Sequence, residues 1–185
     1  MAARTMTTLT EPAMHSGWGI RTVAMGEARY NPMSYHNGSV WPHDNAMIAA
    51  GFAHYGLRDA CGSLLRTWLE ASVFMDRARL PELCCGFERR SGQGPTLYPV
   101  ACSPQAWSAG APYMMLASCL GLRVAGARAQ VRVVRPYLPE SIDQVTIRGL
   151  RVGAGKVDLR IRREGSGVSV LTLAKDSDVE VVSLQ

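Results

Sequence analysis

The sequence predicts a mainly α protein with a β appendage, divided near residue 122. Three observations predict it. Helical apolar spacing with helix-end residues recurs between Pro42 and Gly121. From Arg123 onward, short segments alternate apolar with polar residues and are separated by glycine turns. Helices first and strands afterwards argue for two packed parts and against a βαβ arrangement. The 185 residues suffice for one ordinary domain or a domain with a small appendage. The expected parts are 1–122, helical, and 123–185, a small antiparallel β domain.

Residues 1–40 are rich in Gly, Pro, Ser and Asn and weakly periodic, so they are expected to be loop, with at most a short helix near Glu11–His15. A helix is expected from Pro42, since proline is tolerated in the first turn, to a stop at Gly56. Its apolar face is read as Met47, Ile48, Gly51, Phe52 and Tyr55. A second helix is expected from Arg58 to about Met75, burying Leu64, Leu65, Trp68, Leu69, Val73 and Phe74. Leu80–Cys102 reads as a long ordered loop, a kind that is usually functional when it sits in a compact domain. A third helix is expected from Ser103-Pro104 through Ala106, Trp107, Met114, Met115 and Leu116 to Gly121. Val131–Val134, Gln144–Ile147, Lys156–Ile161, Val168–Leu173 and Val179–Val182 then alternate as strands of an antiparallel meander, with turns at Gly153–Gly155 and Gly165–Gly167.

Composition narrows the function classes. Hydrophobic residues at 47% and charged residues at 19% support a packed core and argue against disorder. The net charge of +5 comes with scattered arginines, such as Arg123, Arg132, Arg148 and Arg160, and no compact basic run with interleaved aromatics. Nucleic acid is therefore not an expected partner. No apolar run is long enough for a membrane span, and Met1–Pro12 lacks the apolar core of a secretory signal. Five irregularly spaced cysteines, Cys61, Cys84, Cys85, Cys102 and Cys119, read as buried reduced thiols and suit a cytoplasmic protein.

Three segments crowd polar and aromatic residues together: Ser16–Thr22, Tyr35–Asn45, and Leu80–Phe87 with Pro99–Trp107. Indole and phenol rings can stack on the apolar face of a pyranose, while neighbouring Asp, Glu, Asn, His and Gln bond its hydroxyls. Hydrolysis of a glycosidic bond further needs two carboxyl groups flanking the linkage. Each residue also has a plainer reading. Trp18, Trp41 and Trp107 could be core, and Asp44 could serve a helix dipole. Glu82 could be a surface carboxylate, and Glu88 beside Arg89 and Arg90 reads as solvated surface. His36 and His43 find no third ligand at suitable spacing, so no metal is expected, and no cofactor is called for.

In combination the segments resemble a family. YNPMSYHNGSVWPHDNAMIAAGF resembles a late-barrel segment of bacterial amylo-α-1,6-glucosidases, the glycogen-debranching type of six-hairpin (α/α)6 glycoside hydrolase. SGWGIRT, LPELCCGF and PVACSPQAWSAGAPYMML resemble further motifs in the same order, over about residues 10–185. The resemblance implies that residues 1–122 are the closing helical hairpins of an (α/α)6 toroid. It implies Glu82 as the general base of an inverting mechanism. Trp18, Arg21, Tyr35, His36, Asn37, Trp41, His43, Asp44, Gln105 and Trp107 would line the glucosyl cleft, with an oligosaccharide or branched α-glucan as substrate. The adjacent Cys84 and Cys85 depart from the bulkier residue expected beside Glu82, which bears on the shape of the subsite. No acidic residue matches the general acid, an aspartate on an earlier helix. A missing N-terminal barrel half is therefore an expected partner, and the 185-residue chain alone is expected to be inactive. The rival readings are a carbohydrate-binding module that uses the same cleft without chemistry, and a structural fragment whose tryptophans are core.

Overall fold

A computed structural model describes residues 1–165 and 167–184. The chain divides into two compact units, Met1–Leu116 and Ala117–Gln185.

The mainly α expectation is overturned. Helix accounts for 32% and strand for 26%, arranged as four α-helices and two sheets among the described residues, so the class is mixed α/β. Among the described residues, the helices Pro42–His54 and Arg58–Ser72 pack on each other. The sequence reading undercounted strand: Gln144–Val152, Gly155–Glu164 and Gly167–Lys175 each run longer than the segments expected there, and Leu122–Ala125 adds a strand that was not expected.

The first helix, α1 (Ala2–Thr10), lies upstream of the turn expected to be helical at Glu11–His15. Thr7 and Thr10 return their hydroxyls to the carbonyls of Ala3 and Met6, which satisfies side chains that otherwise compete with a helix. Pro12 forces Glu11 into extended backbone (φ −64, ψ 149), and α1 ends there.

Helix α2 (Pro42–His54) starts on its proline as expected. It closes with Gly56 at φ +75, Gly56 N–H donating to Ala53 O and Leu57 N–H to Phe52 O, a Schellman ending. Its buried face, however, is Pro42, Asn45, Ala46, Ala49 and Phe52. Met47 and Tyr55, placed on the apolar face by helical spacing, are exposed. Ala46 and Ala49 let the α2 backbone approach its neighbours closely, Phe52 is buried beside them, and Met47 and Tyr55 point outward. Helix α3 (Arg58–Ser72) packs on α2 and buries Leu64, Leu65 and Trp68, whereas Leu69, Val73 and Phe74 are exposed. Helix α4 (Ala106–Cys119) begins after the expected Ser103-Pro104 start; the Gln105 side chain accepts from the Ala106 N–H.

Between these helices the loops form a ladder. Single antiparallel bridges join Arg21 to Val40, Val40 to Cys84, and Cys84 to Leu97. Val40 and Cys84 exchange both backbone bonds at 2.9 Å. Val40, Leu83 and Cys84 are fully buried, so this narrow ladder runs through the core of the first unit.

The second unit holds β1 (Leu122–Ala125), β2 (Gln130–Val134), β3 (Gln144–Val152), β4 (Gly155–Glu164), β5 (Gly167–Lys175) and β6 (Glu180–Leu184). β3-β4-β5 is the expected antiparallel meander. The remainder is not: β2 lies between β1 and β6, and its pairing with β6 is parallel. Val131, Val133, Val152, Val157, Leu159 and Val179 make the core where the faces of the two sheets meet. The expected turn at Gly165–Gly167 includes Ser166, outside the described residues.

Candidate functional site

Glu82 is buried against polar partners instead of lying on the surface. The Tyr35 hydroxyl donates to its Oε1 at 2.6 Å, the Cys102 backbone N–H to Oε2 at 3.2 Å, and Gln105 Nε2 to Oε1 at 3.4 Å. Its own N–H donates to Cys102 O at 2.9 Å, which fixes the backbone on both sides of the carboxylate. These donors favour the charged form. The Tyr35 hydroxyl first, then the Cys102 amide, hold the Glu82 carboxyl below its ordinary range. The reciprocal effect pushes the Tyr35 phenol up to about 12. At neutral pH the pair is therefore a carboxylate and a phenol, so Glu82 is in the form that can accept a proton, as a base weakened by the same donors.

Tyr35 is positioned by a relay that starts on α2. Trp41 precedes the first turn; its Nε1–H donates to Ser39 Oγ at 2.9 Å, and the Ser39 hydroxyl donates to Tyr35 O at 2.6 Å. The Tyr35 ring meets the edges or faces of His36, Trp41 and Tyr98 at 4.6, 4.8 and 5.7 Å. His36 stacks parallel to Trp41, with centroids 6.0 Å apart. On the other side of Trp41, His43 stacks on Trp107 at 4.7 Å, and His43 Nε2 lies 3.0 Å from Asp44 Oδ1. His43 Nδ1 is buried without a hydrogen-bond partner. Trp41 is only 6% exposed and acts as an inner wall, whereas Trp107 is 50% exposed and can offer a ring face to a sugar.

The structure thus gathers Tyr35, His36, Trp41, His43, Asp44, Gln105 and Trp107 in one chain of contacts with Glu82. Asn37 is exposed at the edge of this segment, and its carbonyl accepts from Asn31 N–H. Trp18 and Arg21 have other surroundings. Trp18 is buried between Phe74 and the Arg89 guanidinium, whose carbon lies 4.1 Å from the ring centroid. Arg21 is buried with Nε–H on Gly86 O and Nη1–H on Pro12 O and Ala13 O, so it ties three loops together through their carbonyls. Sequence reasoning missed Tyr98 and Cys102. Tyr98 lies just before the motif at Pro99–Trp107 and Cys102 lies inside it, and spacing alone did not separate them from loop.

The cysteines near Glu82 are chemically quiet where buried. Burial pushes the Cys84 thiol up to about 12, and the Cys85 thiol rises for the same reason. Cys102 is exposed, contrary to the expectation that the thiols are buried.

No curated protein matches the chain. Residues 1–79 match the family model described as the mannosylglycerate hydrolase MGH1-like glycoside hydrolase domain. The matched stretch carries Tyr35, His36, Trp41 and Asp44 and stops short of Glu82, so this similarity supports a glycoside hydrolase relationship in general and not an amylo-α-1,6-glucosidase in particular.

Proposed function

We propose that the site serves hydrolysis of an α-glucosidic linkage, an α-1,6 branch of a glucan, by an inverting mechanism with Glu82 as general base. The reading is carried by one observation: a carboxylate kept ionised by Tyr35, Cys102 and Gln105 beside a cluster of aromatic rings. Glu82 would take a proton from water as the water oxygen attacks the anomeric carbon. The departing oxygen would receive its proton from a second carboxyl group, and an inverting pair stands roughly 6.5–9.5 Å apart to admit the water.

We assign that acid to polypeptide outside these 185 residues. The acidic side chain closest to the aromatic cluster besides Glu82 is Asp44, which is engaged with His43. The isolated chain is then expected to bind saccharide without turning it over. Tryptophan fluorescence should respond saturably to isomaltose or a maltooligosaccharide, and the response should be lost in Trp107→Ala. No response to any α-glucoside, alongside a clear response to mannosylglycerate, would move the substrate to the one named by the matched family. Glucose release from branched dextrin by the isolated chain would overturn the assignment of the acid. A carbohydrate-binding role without chemistry is the second reading, favoured by the single unpaired carboxylate at the rings. In an enzyme supplied with its acid, Glu82→Gln should lower turnover by about 10²–10⁴-fold, whereas a binding module would be indifferent to it.

A further inference from the structure

A second cavity in the first unit, about 550 Å³, lies between α3, α4 and the turn at Ala78–Leu80. Its walls are largely apolar, with Leu65, Leu69, Leu80, Pro104, Pro112 and Tyr113 among them. The volume falls within the range of small-molecule sites. Three features give it chemical direction. Trp68 and Ser108 both line it, both are at least 98% buried, and Trp68 Nε1 and Ser108 Oγ have no hydrogen-bond partner. Buried polar atoms of this kind are normally satisfied, and a ligand oxygen at that wall would satisfy them. The Ser72 hydroxyl, also at the wall, is already committed to Leu69 O.

Arg79 is the only charged residue among those lining the cavity. Its side chain is exposed and is in none of the ion pairs of the described residues. It is carried there by an unusual turn. Arg77 and the lining residue Ala78 both have left-handed backbone (φ 53 and 54), a conformation that non-glycine residues adopt only when their surroundings enforce it. Among the described residues, no carboxylate lines the cavity to compete for the guanidinium.

We propose that this cavity is a binding site for an apolar monocarboxylate, its ring or chain held between α3 and α4 and its carboxylate paired with Arg79. The site is separate from Glu82 and does not depend on the glycosidase reading. Calorimetric titration of the chain with 2-naphthoate and with 2-naphthylmethanol tests it. The acid should bind at one site at least tenfold more tightly than the alcohol. Arg79→Ala, which removes an exposed side chain, should bring the acid down to the level of the alcohol and leave the alcohol unchanged. Ala109→Trp, which places an indole in the cavity, should abolish binding of both, with circular dichroism reporting that each variant is folded. Absence of saturable binding, equal affinity for acid and alcohol, or binding unaffected by Ala109→Trp would each overturn the proposal.

Discussion

Asn45 is a polar residue with no exposed surface, on the face of α2 where an apolar residue would ordinarily sit. Its Oδ1 accepts from Ile20 N–H at 2.7 Å, and its Nδ2 donates to Ile20 O at 3.1 Å and to Trp41 O at 2.9 Å. The side chain thus reads Ile20 as a neighbouring strand would and joins it to the residue that begins the Ser39–Tyr35 relay. Asn45→Ala leaves Ile20 N–H and Ile20 O unpaired at a buried position, while Trp41 O keeps its bond from the residue-45 backbone N–H. Each unsatisfied buried group costs about 1–3 kcal/mol, so the loss should be about 2–6 kcal/mol. With an m value of about 2 kcal/mol per molar urea, the unfolding midpoint should fall by about 1–3 M. Tryptophan fluorescence is the right probe, since Trp18 and Trp41 sit on the two joined segments. Asn45→Asp should also destabilise, because a carboxylate would face the carbonyls of Ile20 and Trp41, and it should recover part of the loss as pH falls and the carboxyl takes up a proton. A midpoint within about 0.3 M of the parent for Asn45→Ala, equivalent to less than about 1 kcal/mol, would refute the reasoning.

Tyr35→Phe should raise the Glu82 carboxyl toward its ordinary value, visible by carbon NMR of the carboxyl. Glu82 titrates below its unfolded value of 4.5, so its contribution to stability is complete above that value and is lost as pH falls through the folded pKa. Acid unfolding of Tyr35→Phe should therefore be less steep in that window. On the alkaline side, ultraviolet titration should show one phenol ionising near 12, absent from the same variant; Tyr35 stabilises the fold below 10 and ceases to as pH approaches 12. Gly86→Ala would place a Cβ 1.7 Å from Gly38 O, so the backbones must separate, and a loss of about 3 kcal/mol or more is expected in urea unfolding. Trp107→Ala removes a half-exposed ring stacked on His43, so stability should change by only about 1 kcal/mol while saccharide binding weakens at least tenfold.

What could be read in advance follows from how local the determining physics is. The start of α2 at Pro42 and its end at Gly56 are written in residues that act on their own backbone, and both were legible. The meander β3-β4-β5 was legible for the same reason, because hairpin neighbours are sequence neighbours. The parallel pairing of β2 with β6 was not, since alternation along Val179–Val182 does not say which strand it will join. Apolar spacing misled at Met47 and Tyr55, because the buried face of α2 runs instead through Asn45, Ala46, Ala49 and Phe52. In the site, the resemblance singled out Glu82 but left Tyr35 and Arg21 side by side as cleft residues, and only the placement of Gly86, Pro12 and Ala13 around the Arg21 guanidinium marks it as a tie between loops. Cys102 was not legible as a partner because its backbone reaches Glu82 through the course of a loop, and Tyr98 meets Tyr35 in the same way.

The ladder joining Arg21, Val40, Cys84 and Leu97 carries a kinetic consequence. Its rungs connect segments far apart in the chain, and Glu82 stands two residues from the rung at Cys84. The central rung, Val40 to Cys84, closes a long loop before it gains a contact, whereas the hairpins of β3, β4 and β5 gain contacts almost at once. The carboxylate and its partners should therefore be among the last features to assemble after dilution from denaturant. In rapid-mixing experiments the sheet signal should return first, and the environment of Trp41 should follow in a slower phase.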